Sequence, residues 1–230
     1  MKKRRNIVII PARSGSKRLP GKNLLPLKGK ALIEYSLDYA KENAEIIDLV
    51  VVSTDDVEIK KKALQYGAVV VDRPESLSGD LVPTSDVLKH TLETLNETFD
   101  TVILLQVTNP LRPRHLLVNA YDEYLDGNYD SLMTVTRNHQ KFGKIVKDKF
   151  QPFNYTVGQR SQDLEPLYFE NGLLYITDAN LISEGKIIGD NNYPFIVNHA
   201  FANVDIDTAQ DLVYAAFIAD QETQRLKEHE

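Results

Sequence analysis

Five runs of aliphatic residues mark the first part of the chain: NIVII (6–10), DLVVVS (48–53), AVVV (68–71), TVILLQV (101–107) and SLMTV (131–135). Each is apolar almost without interruption rather than at every second position, the pattern of strands covered on both faces. Between them, segments at roughly 32–43, 56–66, 84–97 and 114–126 place apolar residues three and four apart, as in helices with one buried face. Strand and helix in alternation predict an α/β fold, a mostly parallel sheet wrapped by helices. In such sheets ligands sit at the carboxyl ends of the strands. That rim is expected to carry the loop after Ile10, the tetrapeptide STDD (53–56) and QVTNP (106–110), because each directly follows a predicted strand.

From Arg137 to about Phe169 the regularity breaks into a polar, aromatic-bearing stretch punctuated by Gly143, Pro152, Gly158 and Pro166, read as an inserted hairpin or arm. Strand patterns return at GLLYIT (172–177) and YPFIV (193–197), and a helix is expected over about 208–226. At 230 residues the chain suits one domain with a sizeable core. A net charge of −6 argues against nucleic acid as a general partner, so any anion site must be local. The absence of cysteine removes disulfides, thiolate metal sites and a cysteine nucleophile, and a cytoplasmic setting is the default expectation. The opening MKKRR resembles the basic region of a signal peptide, but the apolar run behind it ends at Pro11 and Arg13. No stretch approaches the roughly eighteen apolar residues of a membrane span.

Local positive charge is found where the rim begins. IVIIPARSGSKRLPGKN (7–23) places Arg13, Lys17, Arg18 and Lys22 within ten positions, among Gly15, Ser16, Pro20 and Gly21. The dinucleotide fingerprint fails for want of a third glycine. The Walker A pattern fails because five residues rather than four separate Gly15 from Gly21, and Asn23 follows Lys22. What remains is a cationic loop suited to a triphosphate, or a solvated surface loop.

The spacing of PARSGSKRLPGKN decides between these, since it resembles the signature loop of the acylneuraminate cytidylyltransferases and, more distantly, of the KDO cytidylyltransferases. VSTDD, YGAVVVDRPESLSGD, LLQVTNPLRP, YFENGLLYI and VDIDT follow in the same order as in the acylneuraminate enzymes, so the resemblance spans nearly the whole chain. It implies a three-layer Rossmann-like nucleotidyltransferase fold over residues 1–230, with the arm 137–169 as a dimer contact in a homodimer. It also implies Mg²⁺-dependent transfer of CMP from CTP to the anomeric hydroxyl of an acidic nine-carbon 2-keto sugar, a nonulosonate.

Carried over residue by residue, the resemblance places Arg13, Ser14, Lys17 and Lys22 on the nucleotide and its phosphates, with Lys22 and Arg13 offsetting charge as the α-phosphate bond breaks. Arg73, Thr84 and Ser85 match the cytidine pocket, although Thr84 also reads as a helix N-cap. Gln106, Lys144 and Tyr175 match sugar-side positions, and Asn171–Gly172 the NG turn before a strand. Asn109 stands where the family usually has serine. Where the family has Arg immediately before Gln, this chain has Ser161 before Gln162 and Arg160 one step earlier, a shift that turns a side chain in an extended segment to the opposite face; either Arg160 reaches the sugar through a local distortion, or the sugar carboxylate and acyl group are read differently.

Asp205 and Asp207 lie two apart on an extended segment, a pair of oxygen ligands suited to Mg²⁺. Asp207, or a water held by the metal, is the candidate base, with a helix-capping role for Asp207, or a capping box of Thr208 and Asp211, as the structural alternatives. Three other functions share parts of the pattern: a KDO cytidylyltransferase, a metal-dependent glycosyltransferase with an Asp-x-Asp pair, and a non-catalytic nucleotide-binding protein. The glycosyltransferase is disfavoured by the position of VDID near the chain end, and the non-catalytic module by the joint presence of Arg13, Lys22, Gln106, Asp205 and Asp207.

Overall fold

The computed structural model describes residues 4–228, so the first three residues of the basic opening lie outside the described residues. Seven strands form one sheet. In chain order its members are β1 (Asn6–Pro11), β4 (Leu49–Thr54), β5 (Val69–Asp72), β6 (Thr101–Leu104), β7 (Ser131–Asn138), β10 (Leu167–Asp178) and β11 (Asn192–Ile196), and their spatial order is β11-β7-β10-β6-β1-β4-β5. Two hairpins supply the remaining strands, β2 (Pro26–Leu27) with β3 (Lys30–Ala31), and β8 (Gly143–Val146) with β9 (Lys149–Pro152). Strand β1 runs parallel to β4 and β6, and β4 parallel to β5, whereas β10 is antiparallel to both β6 and β7.

The continuous apolar runs have a direct packing cause. Along β1, Val8 and Ile10 enter one core while Ile7 and Ile9 enter the other, and all four are fully buried. The first core is closed by α1 (Leu32–Glu42), α2 (Val57–Gln65), α4 (Leu116–Asp126) and α6 (Ala209–Glu228), through residues such as Leu37, Ile59, Leu117 and Ala215. The second is closed by α3 (Thr84–Leu95) and the short α5 (Ala179–Ser183), through Leu88 and Ile182. At roughly 1.5–3 kcal/mol for each fully buried aliphatic side chain, the double coverage holds the strand ends, and hence the rim loops, in place.

The five long helices begin and end within about two residues of where the apolar spacing puts them. The arm is smaller than its sequence boundaries: β7 continues to Asn138 and β10 begins at Leu167, and between them stands the exposed hairpin of β8 and β9. Its turn residues Lys147 and Asp148 both have positive φ (50° and 59°), as a tight two-residue hairpin requires. The NG pair is not a turn before a strand. Asn171 and Gly172 lie inside β10, where the pairing with β7 shifts register between Glu170 and Tyr175, so they form a bulge. Gly172 has φ 74°, and a Cβ there would come within 2.7 Å of the Asn109 side-chain oxygen.

Candidate active site

The cationic loop is tied to the sheet at its start and folded back at its end. After β1, the Ala12 amide donates to the Ser53 carbonyl at the end of β4 (2.9 Å), and Ser14 donates through its amide and its hydroxyl to Asp55 (2.8 and 2.7 Å). Gly21, at φ 66°, takes the left-handed turn that swings the chain into a short 3₁₀ turn over Lys22–Leu24. The Asn23 amide group donates to the Arg13 carbonyl (2.8 Å), closing the loop on itself.

All four cations meet carboxylates. Arg13 and Lys17 clasp Asp80 at 2.6 and 2.5 Å, while Arg18 and Lys22 clasp Asp207 at 2.6 and 2.9 Å. Their burial separates them: the Lys22 side chain is 10% exposed, against 84% for Lys17 and 70% for Arg18. Asp207 is not the cap of α6. Asp211 accepts from the Thr208 amide (2.7 Å) and hydroxyl (2.8 Å), and its own amide reaches back to the Thr208 hydroxyl (3.3 Å), so the capping box at the start of α6 is made by Thr208 and Asp211. Asp207 is left facing the loop.

Beneath the loop lies a cavity of about 280 Å³ whose walls include Arg13, Lys22, Arg73, Thr84 and Gln106. Arg73 is buried and donates to the Ser53 carbonyl (2.8 Å) and hydroxyl (3.4 Å). Burial pulls its guanidinium down to about 10, with Asp55 working against that shift and Arg13 adding to it, so it stays charged at neutral pH. Thr84 is the first residue of α3; Pro83 occupies the N-cap position, so the capping reading of Thr84 is not what the structure shows. Ser85 opens into a neighbouring cavity of about 370 Å³ that also reaches Gln106, Glu170 and Tyr175.

A third cavity, of about 410 Å³, again touches Gln106, Glu170 and Tyr175 and adds Asn109 and Asp205. Gln106 therefore stands where all three meet. The Tyr175 hydroxyl donates to Glu170, and burial together with that carboxylate pushes the phenol well above its ordinary range. Asp205 opens to the cavity, yet the protein around it withdraws water and raises its carboxyl; the Thr108 hydroxyl opposes the shift and Asp207 adds to it. The segment carrying Asp205 is pinned from below: Ile206 donates its amide to the Thr108 carbonyl (2.8 Å), and the Asn109 amide donates to the carbonyls of Val204 and Asn171 (both 3.0 Å).

Among the described residues no cluster of three or more carboxylates or imidazoles forms a complete metal cage. Asp205 and Asp207 would supply two hard oxygen ligands beside a cavity, and the raised Asp205 carboxyl is the response of a group that a cation would relieve. The donor set fits Mg²⁺, which keeps waters and takes phosphate oxygens for the rest of its shell.

Two residues expected on the sugar side line none of these three cavities. Lys144 lies on the exposed hairpin, its ammonium 5.5 Å from the Phe153 ring centre. Arg160 is exposed and paired with Asp163 at 2.7 and 3.0 Å, three residues along its own segment. Asp55, Asp80, Asn109 and Glu170 carry no assigned role in the sequence reading, although STDD, SGD, TNP and YFENG contain them. Of these, Asp80 pairs with the cations Arg13 and Lys17, Asp55 anchors Ser14, Glu170 accepts from Tyr175 and Asn109 ties backbone carbonyls together, and none of these contacts is local in sequence except that of Glu170.

A family model described as cytidylyltransferase matches residues 7–223. A pseudaminic acid cytidylyltransferase of Campylobacter jejuni is 34% identical over 93% of this chain and 96% of its own length. A CMP-N,N'-diacetyllegionaminic acid synthase of Legionella pneumophila is 34% identical over 90% and 93% of the two chains. An N-acylneuraminate cytidylyltransferase of Streptococcus agalactiae is 33% identical over 90% of this chain and 52% of its own. Among solved structures, a CMP:2-keto-3-deoxy-manno-octonic acid synthetase complexed with CTP aligns with a TM-score of 0.71 at 16% identity, covering 95% of this chain and 99% of that one. A 4-diphosphocytidyl-2C-methyl-D-erythritol synthase aligns at 0.68 and 16%, covering 94% and 100%. At that identity the two structures share the fold.

Proposed function

The chain belongs to the cytidylyltransferase family, and on that footing we propose that it transfers the cytidylyl group of CTP to the anomeric hydroxyl of a nonulosonic acid, releasing pyrophosphate. The observation that carries this reading is the contact of Lys22 with Asp207 at 2.9 Å, which brings the cationic loop onto the carboxylate pair from the other end of the chain. Relatives named for pseudaminic acid, N-acylneuraminate and N,N'-diacetyllegionaminic acid support a nine-carbon acid sugar as the acceptor.

In this reading Arg13, Ser14 and Lys17 hold the triphosphate, and Arg73, Thr84 and Ser85 the cytidine. Lys22 offsets the charge that develops on the α-phosphate and the leaving pyrophosphate. Gln106 and Tyr175 orient the sugar hydroxyl for in-line attack on the α-phosphorus; the new oxygen–phosphorus bond forms as the bond to pyrophosphate breaks. Mg²⁺ held by Asp205 and Asp207 would polarise the phosphate oxygens. Lys22 and the exposed Arg18 engage different oxygens of Asp207, so departure of Arg18 to the triphosphate would free one oxygen to receive the hydroxyl proton while Lys22 stays in place. The exposed apolar residues of the arm, Ile145 and Phe150 on the hairpin and Phe153 directly after it, are proposed to meet a second copy of the chain.

The test is pyrophosphate release from CTP and Mg²⁺ with N-acylneuraminate, pseudaminate, N,N'-diacetyllegionaminate and 2-keto-3-deoxy-manno-octonate offered separately. Release with at least one nine-carbon sugar is expected. No release with any of them, or release with the eight-carbon sugar alone, would overturn the reading.

A further inference from the structure

Asp80 meets the cationic loop at the wall of the cavity of about 280 Å³, which it lines together with Arg13 and Lys22. Each of its oxygens takes one cation, Oδ1 the Arg13 guanidinium at 2.6 Å and Oδ2 the Lys17 ammonium at 2.5 Å. Hydrogen bonds from Lys17 and Arg13 hold the carboxyl below its ordinary range, so it is charged at neutral pH. Two oxygens of one anion bridging two cations is also the arrangement a phosphate group makes with such a pair.

The segment that carries Asp80 is fixed by these contacts more than by packing. It follows a 3₁₀ turn at Glu75–Leu77, and Gly79, Asp80 and Leu81 are all exposed. Leu81, the apolar neighbour of Asp80, is 97% exposed and anchors nothing. Arg13 adds a tie to the backbone by donating to the Ser78 carbonyl (3.2 Å). Among the described residues no other carboxylate pairs with Arg13 or Lys17, and the charge of Arg13 already works against the protonated state of Arg73. Without Asp80 the empty loop would hold unscreened like charges.

We propose that Asp80 is an internal competitor of the terminal phosphates: it holds Arg13 and Lys17 while the site is empty, yields them to the β- and γ-phosphates of CTP, and retakes them as pyrophosphate leaves. The inference rests on the functional reading above, in which Arg13 and Lys17 hold the triphosphate. A carboxylate and a phosphate placed on the same two cations repel each other. The triphosphate carries several charges against one, so it displaces Asp80, and the exposed segment can move aside without disturbing the core. CMP, whose single phosphate belongs beside Lys22, does not enter the competition. Asp80 therefore weakens the binding of CTP and of pyrophosphate alike, and opposes inhibition by the released pyrophosphate.

Calorimetric binding of CTP, pyrophosphate and CMP, each with Mg²⁺, to the wild type, Asp80→Asn and Asp80→Ala tests the competition. Exposed ion pairs are individually weak, so losing two is expected to tighten CTP and pyrophosphate by roughly three- to ten-fold, with CMP held within about two-fold. Glu75→Gln removes an equal charge from the same stretch of chain, where the side chain forms no ion pair among the described residues, and should change none of the three. In a Lys17→Ala background the effect of Asp80→Asn should shrink. Unchanged or weaker binding of CTP and pyrophosphate in both Asp80 variants overturns the competition while leaving the transferase reading intact. Equal tightening of CMP, equal tightening by Glu75→Gln, or an undiminished effect in Lys17→Ala does the same. A wild type that binds neither CTP nor pyrophosphate overturns both.

Discussion

Lys22 differs from the other cations of its loop in burial rather than in charge. A lysine 10% exposed and held at 2.9 Å from a carboxylate is fixed before any phosphate arrives, whereas Lys17 at 84% is held only at its tip. Lys22→Ala is therefore expected to lower kcat by about 10²- to 10³-fold, the usual cost of removing one preorganised charge-stabilising donor, while Lys17→Ala acts mainly on the KM for CTP. Pyrophosphate-release kinetics separate the two, and near wild-type kcat in Lys22→Ala would remove it from the chemistry. Asn109 is the residue whose role the sequence hid. Its single side-chain amide joins the carbonyls of Asn171 and Val204, from segments far apart in the chain. Asn109→Ala leaves two carbonyls without that donor and is expected to cost about 1–3 kcal/mol by urea unfolding. A loss below experimental error would show that water replaces it.

At the level of elements, the start of α6 couples stability to the site. Thr208 and Asp211 cap the helix, and Asp211 also accepts from the Asp207 amide (3.0 Å). Partial burial alone would raise the Asp211 carboxyl, but the hydrogen bonds from Asp207 and Thr208 outweigh it and hold the group below its ordinary range. The folded-state value is depressed, so the contribution is fully present above the unfolded value, near ~3.9, and is lost as pH falls through the lower folded value. Thermal unfolding followed from pH 6 to pH 3 should show that loss in the wild type and a smaller one in Asp211→Asn. Equal acid sensitivity in both would exclude Asp211 as a source. Thr208→Ala should cost about 1 kcal/mol at neutral pH. The bulge in β10 is a second such element: Gly172→Ala combines a positive φ with a 2.7 Å approach to Asn109 and is expected to destabilise the chain by a few kcal/mol, read as a lowered Tm.

For the whole molecule, the long apolar runs made the fold legible because their cause is local. A strand covered on both faces must be apolar at consecutive positions, and β1, with its side chains alternating between two cores, shows why. The arm was legible only as a break in pattern, and it exposes Ile145, Phe150 and Phe153 at 79%, 58% and 66%. If these residues meet a second copy, replacing residues 143–153 with a short polar turn yields a monomer by light scattering, with secondary structure kept by circular dichroism. A monomeric wild type at micromolar concentration would contradict that assembly. Among the described residues no helix is long and apolar enough to cross a membrane.

The sequence by itself determined the alternation of strands and helices, the cations of the first loop and the order of the motifs, since each depends on neighbours a few residues away. Only the tertiary structure decided what those groups meet. Lys22 and Asp207 are 185 residues apart and come together because β1 lies beside β6 in the sheet, with the Thr108 carbonyl that follows β6 holding the Ile206 amide. Arg160, close in sequence to where an arginine was expected, is paired with Asp163 three residues along its own segment. Charge can be counted along a chain, but whether a charge is paired or left waiting depends on contacts that strand order sets.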